Sequence, residues 1–464
     1  MNKKTKHSSS FRDPSGYVFI EGNELKRCVL PIYFNQYNSL KNSGFFQKAI
    51  QSDLLIPHEE ELVSESEIII RPNKIPFITY PYEWCFNQYK EAALLTLKLH
   101  KFALEYGYIL KDASAYNIAF NTGKAIFIDT LSFDFYQENK PWRAYKQFLM
   151  HFLAPLLLAK YHGASQLKLM SNYLDGIPLP LMASLLPKKT KLNPFLFSNI
   201  YLPAKFESKH SEDYQGKAKE GMLSKSGQIK IIDSLYAYIK DLKLNESSEW
   251  GNYYTKTNYS NSAFLEKEKI LNRWSNSLSP KTIIDVGGND GTFVRSIKME
   301  LEQAIVCDID NNAVDSNFYQ MKKQKETFML PMVLDVLNPS PAIGVNNEER
   351  ASFLKRISNF NPDVTIALAV IHHITLSGNV PFEMSAEFFG KFSNHLIIEF
   401  PKREDSWVQR LLNTKGEFKA HFDFYNFHTF ETAYATYFEI VEKVEITDSN
   451  RVLYLLKRKD DFQN

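Results

Sequence analysis

Asp285, Asp308, Asp335, the pair His372-His373 and Glu399 are the residues whose types and spacing could do chemistry together. Each ends, or lies close to the end of, a short apolar run, as an ionisable group at the tip of a buried strand would. The first run, Ile283-Ile284-Asp285-Val286, leads into Gly287-Gly288-Asn289-Asp290-Gly291. A strand ending in an acid and then Gly-x-x-x-Gly suits a nucleoside-bearing cofactor. The first glycine permits a tight turn, and the last lets the following helix approach the ligand. Asn289 stands where such loops often carry another glycine, and Asn tolerates positive φ. Asp308 follows about twenty residues later, where a ribose diol would lie, with Asp310 as a second choice. Asp335-Val336 ends the run Met332-Val333-Leu334, in position to touch an adenine edge. The competing reading is that Asp285 and Asp308 only cap turns.

The elements that must position these residues alternate. Phe293, Ile297 and Leu301 recur every four residues and predict a helix from Gly291 to Gln303. Strands are expected at Ala304–Cys307, at Met332–Leu334, at Val364–Ile371 ending on His372-His373, and at His395–Phe400 containing Glu399. Strands alternating with helices predict an α/β fold, a doubly wound parallel sheet with ligands at the C-terminal strand ends. The glycine loop by itself does not separate a dinucleotide site from an S-adenosylmethionine (SAM) site.

The set Asp285-x-Gly-x-Asn-x-Gly, Asp308 and Asp335 resembles class I SAM-dependent methyltransferases, whose sheet is Rossmann-like. Further runs are similar to bacterial methyltransferases grouped with nodulation proteins. They are Trp250 with Tyr253, Asn338 to Gly344, Ala367 to Ile374, Glu399-Phe400-Pro401-Lys402 and Asn450 to Tyr454. The likeness covers roughly the last 215 residues, a normal domain size. It implies SAM as cofactor: Asp285, Gly287, Gly288, Asn289 and Gly291 around its methionine part, Asp308 or Asp310 on its ribose, Asp335 and Val336 at its adenine. Methyl transfer from a sulfonium needs an unprotonated nucleophile held in line, and His is the usual base. His372 and His373 are therefore the candidate catalytic residues, followed by Glu399. The alternative is that one His packs and the other caps a helix. Trp250, Tyr253, Tyr254 and Tyr259 are expected either as a lid or as packing beneath the sheet. The resemblance implies a small-molecule, glycan or lipid-linked acceptor.

The first half carries a second constellation. Lys111-Asp112-Ala113-Ser114-Ala115-Tyr116-Asn117 precedes two short apolar runs around Asn121-Thr122-Gly123-Lys124, and the second ends at Asp129. A hairpin there would bring Asn117 and Asp129 to one end with Asp112 a loop away, an oxygen set suited to Mg²⁺. The arrangement resembles the catalytic and metal-binding loops of protein-kinase-like enzymes, small-molecule kinases in particular. By that resemblance the domain is α+β, Asp112 is the base, and Asn117 and Asp129 hold Mg²⁺ with ATP. The departures are Lys111 for Arg, Thr130-Leu131 for Phe-Gly, and no glycine-rich phosphate loop. Lys26 is the nearest candidate for pairing with a helix glutamate. Active and inactive versions both stand, as does a scaffold in which Asp112 and Asn117 only tie down a turn.

At 464 residues the chain is long enough for two or three domains. Residues 1–204 are expected as the kinase-like domain, 205–245 as a linker with a connecting helix over Ile231–Leu244, and 246–464 as the methyltransferase domain. Asn338 to Pro362 is expected as an insertion near the acceptor side. A formal net charge of +2 gives no general steering toward nucleic acid or acidic lipid, and base-modifying Asn-Pro-Pro-aromatic is absent after the fourth strand. Cys28, Cys85 and Cys307 are scattered, which fits a reducing cytoplasm. The longest apolar run, Phe148 to Ala159, is too short to span a bilayer.

Overall fold

A computed structural model describes residues 4–210, 222–244, 261–392 and 394–462. Trp250, Tyr253, Tyr254 and Tyr259 lie outside them. The chain forms two compact units: Met1–Glu246 with Ala342–Arg350, and Ser247–Pro341 with Ala351–Asn464.

In the first unit, β1 (Lys4–Lys6), β2 (Gly16–Glu21), β3 (Glu24–Val29), β4 (His58–Val63) and β5 (Ile68–Pro72) make an antiparallel sheet in the order β1-β2-β3-β5-β4. The β2–β3 hairpin pairs Glu21 with Glu24, and Gly22 supplies the positive φ its two-residue turn demands. The helix Phe86–Glu105 buries twelve of its twenty residues, as its apolar circumference requires. Beyond it come β6 (Tyr108–Leu110), β7 (Ile118–Asn121), β8 (Lys124–Phe127) and β9 (Phe133–Phe135), which pair as β6-β9 and β7-β8. Helical segments follow from Tyr145 to Leu185.

The expected linker is in part helical: Leu202–His210 covers its start, and its second helix runs over Lys225–Asp241. That second helix packs on Phe86–Glu105, with Lys101 bridging Asp233 and Lys90 Nζ donating to Leu242 O. It therefore belongs to the first unit. So does Ala342–Arg350 of the expected insertion: Glu349 pairs with Arg12 at 2.8 Å and the Arg350 guanidinium lies 4.5 Å from the Tyr116 ring centroid. The rest of the expected insertion, 338–341 and 351–362, belongs to the second unit.

The second unit holds a seven-stranded sheet of β10 (Thr282–Val286), β11 (Gln303–Asp308), β12 (Met329–Val333), β13 (Val364–Ala367), β14 (His395–Pro401), β15 (Phe438–Glu445) and β16 (Arg451–Arg458). Its order is β12-β11-β10-β13-β14-β16-β15. The first five run parallel, and β16 is antiparallel to both neighbours. This is the expected doubly wound, Rossmann-like sheet. Chain order reverses direction at β10, so the crevice opens beyond the ends of β10, β11 and β13. The helix Asn261–Leu278 lays Ile270, Leu271 and Trp274 against Ile283, Ile366 and Leu455.

Two elements differ from the expectation. The helix after the glycine loop spans only Thr292–Ser296. Asn272 ends it: its Nδ2 donates to Ser296 O at 2.9 Å and its Oδ1 accepts from Lys298 N at 2.8 Å, replacing the next helical turn. β13 stops at Ala367, because Ala369 takes φ +53° and turns the chain; His372 and His373 then open a helical segment instead of ending the strand.

Candidate functional site

A cavity of about 310 Å³ opens at this strand edge in the second unit. Asp285, Gly287, Gly288 and Asn289 line it from β10 and its loop, Asp308 from β11, Asp335 and Val336 from beyond β12, and Ala369, Val370 and His373 from beyond β13. Lys267 and Glu399 complete its polar wall, and Phe293, Leu334, Leu337, Leu368 and Ile374 supply apolar surface. The expected tips therefore meet in one place.

The loop is shaped for close approach. Gly287 has φ +73°, and a Cβ there would fall 2.4 Å from Val370 Cγ2. A Cβ on Gly288 would fall 2.6 Å from Asp285 Oδ2. Asn289 has φ +50°, as its residue type allows. Its backbone N–H donates to Asp308 Oδ2 at 3.0 Å, and Asp310 N donates to Asp308 Oδ1 at 2.9 Å. The Asp308 carboxylate is thus fixed in place with lone pairs remaining for further donors.

Two of the candidate cofactor residues do not face the cavity. Gly291, at φ +80°, caps the short helix Thr292–Ser296. Asp310 caps the helix Asn311–Gln324 by accepting from Asn312 N at 2.8 Å. The N-terminal turn of that helix thus engages Asp310.

Electrostatics sets Asp285 apart. It is 1% exposed and its Oδ2 makes no hydrogen bond among the described residues. Burial, with the nearby Asp308 adding to it, pushes its carboxyl up to about 8. Burial raises Asp308 to about 6, against the backbone N–H donors that stabilise its ionised form. A buried carboxyl left with an orphaned oxygen is costly unless something else meets it.

Glu399, fully buried on β14, is held by Lys267 Nζ at 2.5 Å and by Arg451 at 3.5 Å; Arg451 in turn bonds Asp405 at 2.9 Å. Burial would raise Glu399, but Lys267 and Arg451 outweigh it and hold it low. That favours its ionised form at the cavity wall. Lys267, 1% exposed, is brought down to about 8 by burial, opposed by Glu399. Sequence reading missed Lys267. Its signal was position: it shares a stripe with Ala263, Ile270, Leu271 and Trp274, where a lysine must find a buried partner.

The histidines separate. His373 lines the cavity, and burial, then Arg451, lowers its basicity. His372 is 1% exposed, does not line the cavity, and its Nδ1 makes no hydrogen bond among the described residues. Burial, with His373 adding to it, lowers it well below the usual range.

In the first unit the β7–β8 hairpin pairs Ile118 with Phe127 and brings Asn117 and Asp129 to one end. Asn117 Nδ2 donates to Ser132 Oγ at 3.4 Å, and Ser132 Oγ donates to Asp129 Oδ2 at 2.5 Å. Asp112 accepts from Gln147 at 2.7 Å and from Ser114 N at 3.0 Å; burial raises its carboxyl, as does Asp129. Arg27 on β3 ion-pairs with Asp129. Burial would raise Asp129, but Arg27 and Ser132 outweigh it and leave it low. Lys26, the nearest candidate for pairing with a helix glutamate, instead bonds Glu21, Glu24 and Glu61, all three on strands. Neighbouring strand residues face opposite ways, so Arg27 rather than Lys26 reaches the cluster.

No family model matches the chain. Nodulation protein NoeA of Rhizobium meliloti (strain 1021) is 30% identical over 466 residues, which cover 98% of this chain and 96% of that one. Among solved structures, the N-methyltransferase NodS from Bradyrhizobium japonicum WM9 is 15% identical, covers 43% of this chain and 99% of its own, and gives a TM-score of 0.31. Magnesium protoporphyrin IX methyltransferase from Synechocystis PCC 6803 is 13% identical over 45% of this chain and 93% of its own, with a TM-score of 0.30. The bifunctional kinase-methyltransferase WbdD is 13% identical over 42% of this chain and 38% of its own, also at 0.30. The strand order, not these distant likenesses, defines the fold.

Proposed function

The chain belongs to the family of nodulation protein NoeA, and within that family we propose that it is a SAM-dependent methyltransferase acting on a small-molecule, glycan or lipid-linked acceptor. The observation that carries the reading is the orphaned, buried Asp285 carboxyl in a glycine-walled cavity at the sheet's switch point. The residues fit the cofactor. Asp308, pinned by two backbone N–H groups, accepts from the ribose diol; Asp335 and Val336 flank the adenine; Gly287, Gly288 and Asn289 leave room for the methionine part. Asp285 offers its free oxygen to a positively charged group, which would restore its ionised form.

Bound there, SAM supplies an electrophilic methyl group. The chain's own part is to hold the acceptor in line and dry, and to take its proton. His373 faces the cavity in its neutral form and is the better candidate base; His372 packs behind it. Glu399 fixes Lys267 at the cavity wall and also pairs with the buried Arg451.

We read the first unit as recruiting or regulatory, because Arg27 already neutralises the Asp129 carboxylate that a magnesium ion would need. A second reading, a bifunctional kinase and methyltransferase, draws on the convergence of Asp112, Asn117 and Asp129. The three cysteines are buried free thiols, in keeping with a cytoplasmic setting. The test is calorimetric titration of the full chain with SAM and with S-adenosylhomocysteine. Heat with neither would overturn the methyltransferase reading. Magnesium-dependent ATP turnover abolished by Asp112→Ala would establish the second.

A further inference from the structure

Between Asp175 and Glu207 the chain carries four lysines, Lys188, Lys189, Lys191 and Lys205, and not one acid. The overall charge balance does not show this, because acids elsewhere cancel it. In the first unit this stretch folds as the helix Leu179–Leu185, the turn Pro187-Lys188-Lys189-Thr190-Lys191-Leu192, and a helical segment from Pro194 to His210. The turn packs on Phe197–Tyr201, as does Leu179–Leu185, which also packs on Leu202–His210.

One side of this assembly is committed to the interior. Leu196, Ile200 and Ala204 are buried, and Phe195 stacks on Tyr238 with ring centroids 3.9 Å apart. Thr190 is buried and its hydroxyl meets both Pro187 O, at 2.7 Å, and the Tyr201 hydroxyl, at 2.6 Å. That pins the turn, so what it presents outward is fixed rather than incidental. Outward stand Leu192, 87% exposed, Phe206 at 55% and Phe197 at 50%, with Leu185 and Leu202 at 38%. All four lysines of the same stretch are exposed as well.

Large apolar side chains held out in water by a pinned turn are unfavourable unless something covers them. The acid on the same helical segment, Glu207, is paired with Lys146 at 3.0 Å, so the lysines of this stretch select an anionic cover. Exposed apolar residues interleaved along the chain with exposed lysines are the pattern of a surface that lies in a lipid interface. We infer that this face docks the protein on an anionic bilayer, with Leu192, Phe197 and Phe206 entering the acyl boundary and Lys188, Lys189, Lys191 and Lys205 meeting phosphate headgroups. Among the described residues no helix is long and apolar enough to cross a membrane, so the contact is interfacial and reversible. The inference does not depend on the methyltransferase reading.

The test is sedimentation of the full chain with phosphatidylcholine vesicles, with and without phosphatidylglycerol. Co-sedimentation is expected only with phosphatidylglycerol, falling as salt rises. The variant Lys188→Ala/Lys189→Ala/Lys191→Ala should bind more weakly by about fivefold for each lysine removed. Leu192→Ser/Phe197→Ser should also bind more weakly, at unchanged charge. All these side chains are exposed, so an unchanged melting temperature is expected for both variants. No sedimentation, equal sedimentation with phosphatidylcholine alone, or an apolar variant that binds like the parent would overturn the inference. The comparison of the two lipid compositions needs no variant and decides even if one fails to fold.

Discussion

Asp285 makes the sharpest prediction, because its proton must be lost when a cationic ligand arrives. Burial and Asp308 hold its carboxyl at about 8 in the free protein, so at pH 7 about nine molecules in ten carry it neutral. If the ligand's positive charge is met by the ionised carboxylate, binding releases up to one proton. Each pH unit below about 8 then weakens affinity about tenfold, roughly 1.4 kcal/mol. SAM affinity should therefore be about tenfold weaker at pH 7 than on its alkaline plateau, and about a hundredfold weaker near pH 6. Below that, protonation of Asp308 steepens the fall. Calorimetry in buffers of different ionisation enthalpy reads the proton directly, and Asp285→Asn should remove both the release and most of the affinity. The same shift fixes a stability sign. The folded carboxyl lies above its unfolded value, so the native state binds the extra proton and stability falls as pH rises from about 4 to about 8. Asp285→Asn should thus melt higher than the parent above pH ~8, by of order 2–5 kcal/mol, while losing its ligand. Affinity flat from pH ~6 to ~9, with no proton released, would refute the reasoning.

Asp308→Ala should lower SAM affinity by about 1.5–3 kcal/mol in calorimetry, the range for hydrogen bonds to a charged group. Lys267→Met takes an ion-pair partner from the buried Glu399 and should cost about 3–5 kcal/mol in denaturant melts, whereas Lys267→Met/Glu399→Leu should recover much of it. His373→Ala should lower methyl-transfer turnover about 10²–10⁴-fold with SAM affinity unchanged. His372→Ala should instead lower the melting temperature, since it removes a packed ring; the reverse assignment would show as a turnover loss confined to His372→Ala. Gly287→Ala should abolish SAM binding, because φ +73° and Val370 oppose a Cβ there.

The strand tips were legible because parallel buried strands are short apolar runs whose polar ends must serve a purpose; Asp285, Asp308 and Asp335 followed from that alone. The glycine loop declared its own geometry through residue type. What was not legible depends on long-range partners. Asn272 truncates a helix whose periodicity is sound, through bonds to a segment more than twenty residues away. Asp310 looks like a ligand residue in sequence, but the helix it caps engages it. Val364 to Ile371 is apolar apart from Thr365, so nothing local marks the turn at Ala369 that moves the histidines off the strand. Lys26 and Arg27 are both basic on one strand, and only the pleat decides which reaches Asp129.

The route of the backbone through Ala342–Arg350 has a practical corollary. Assigned as they are, the two units are joined by the peptide at 246/247 and again at 341/342 and 350/351. A single proteolytic cut near residue 246 therefore cannot free one from the other. Any gene fragment starting there would carry an unsatisfied excursion, with Glu349 and Arg350 deprived of Arg12 and Tyr116. Exchanging one unit for another by recombination would take three joins, at 246/247, 341/342 and 350/351.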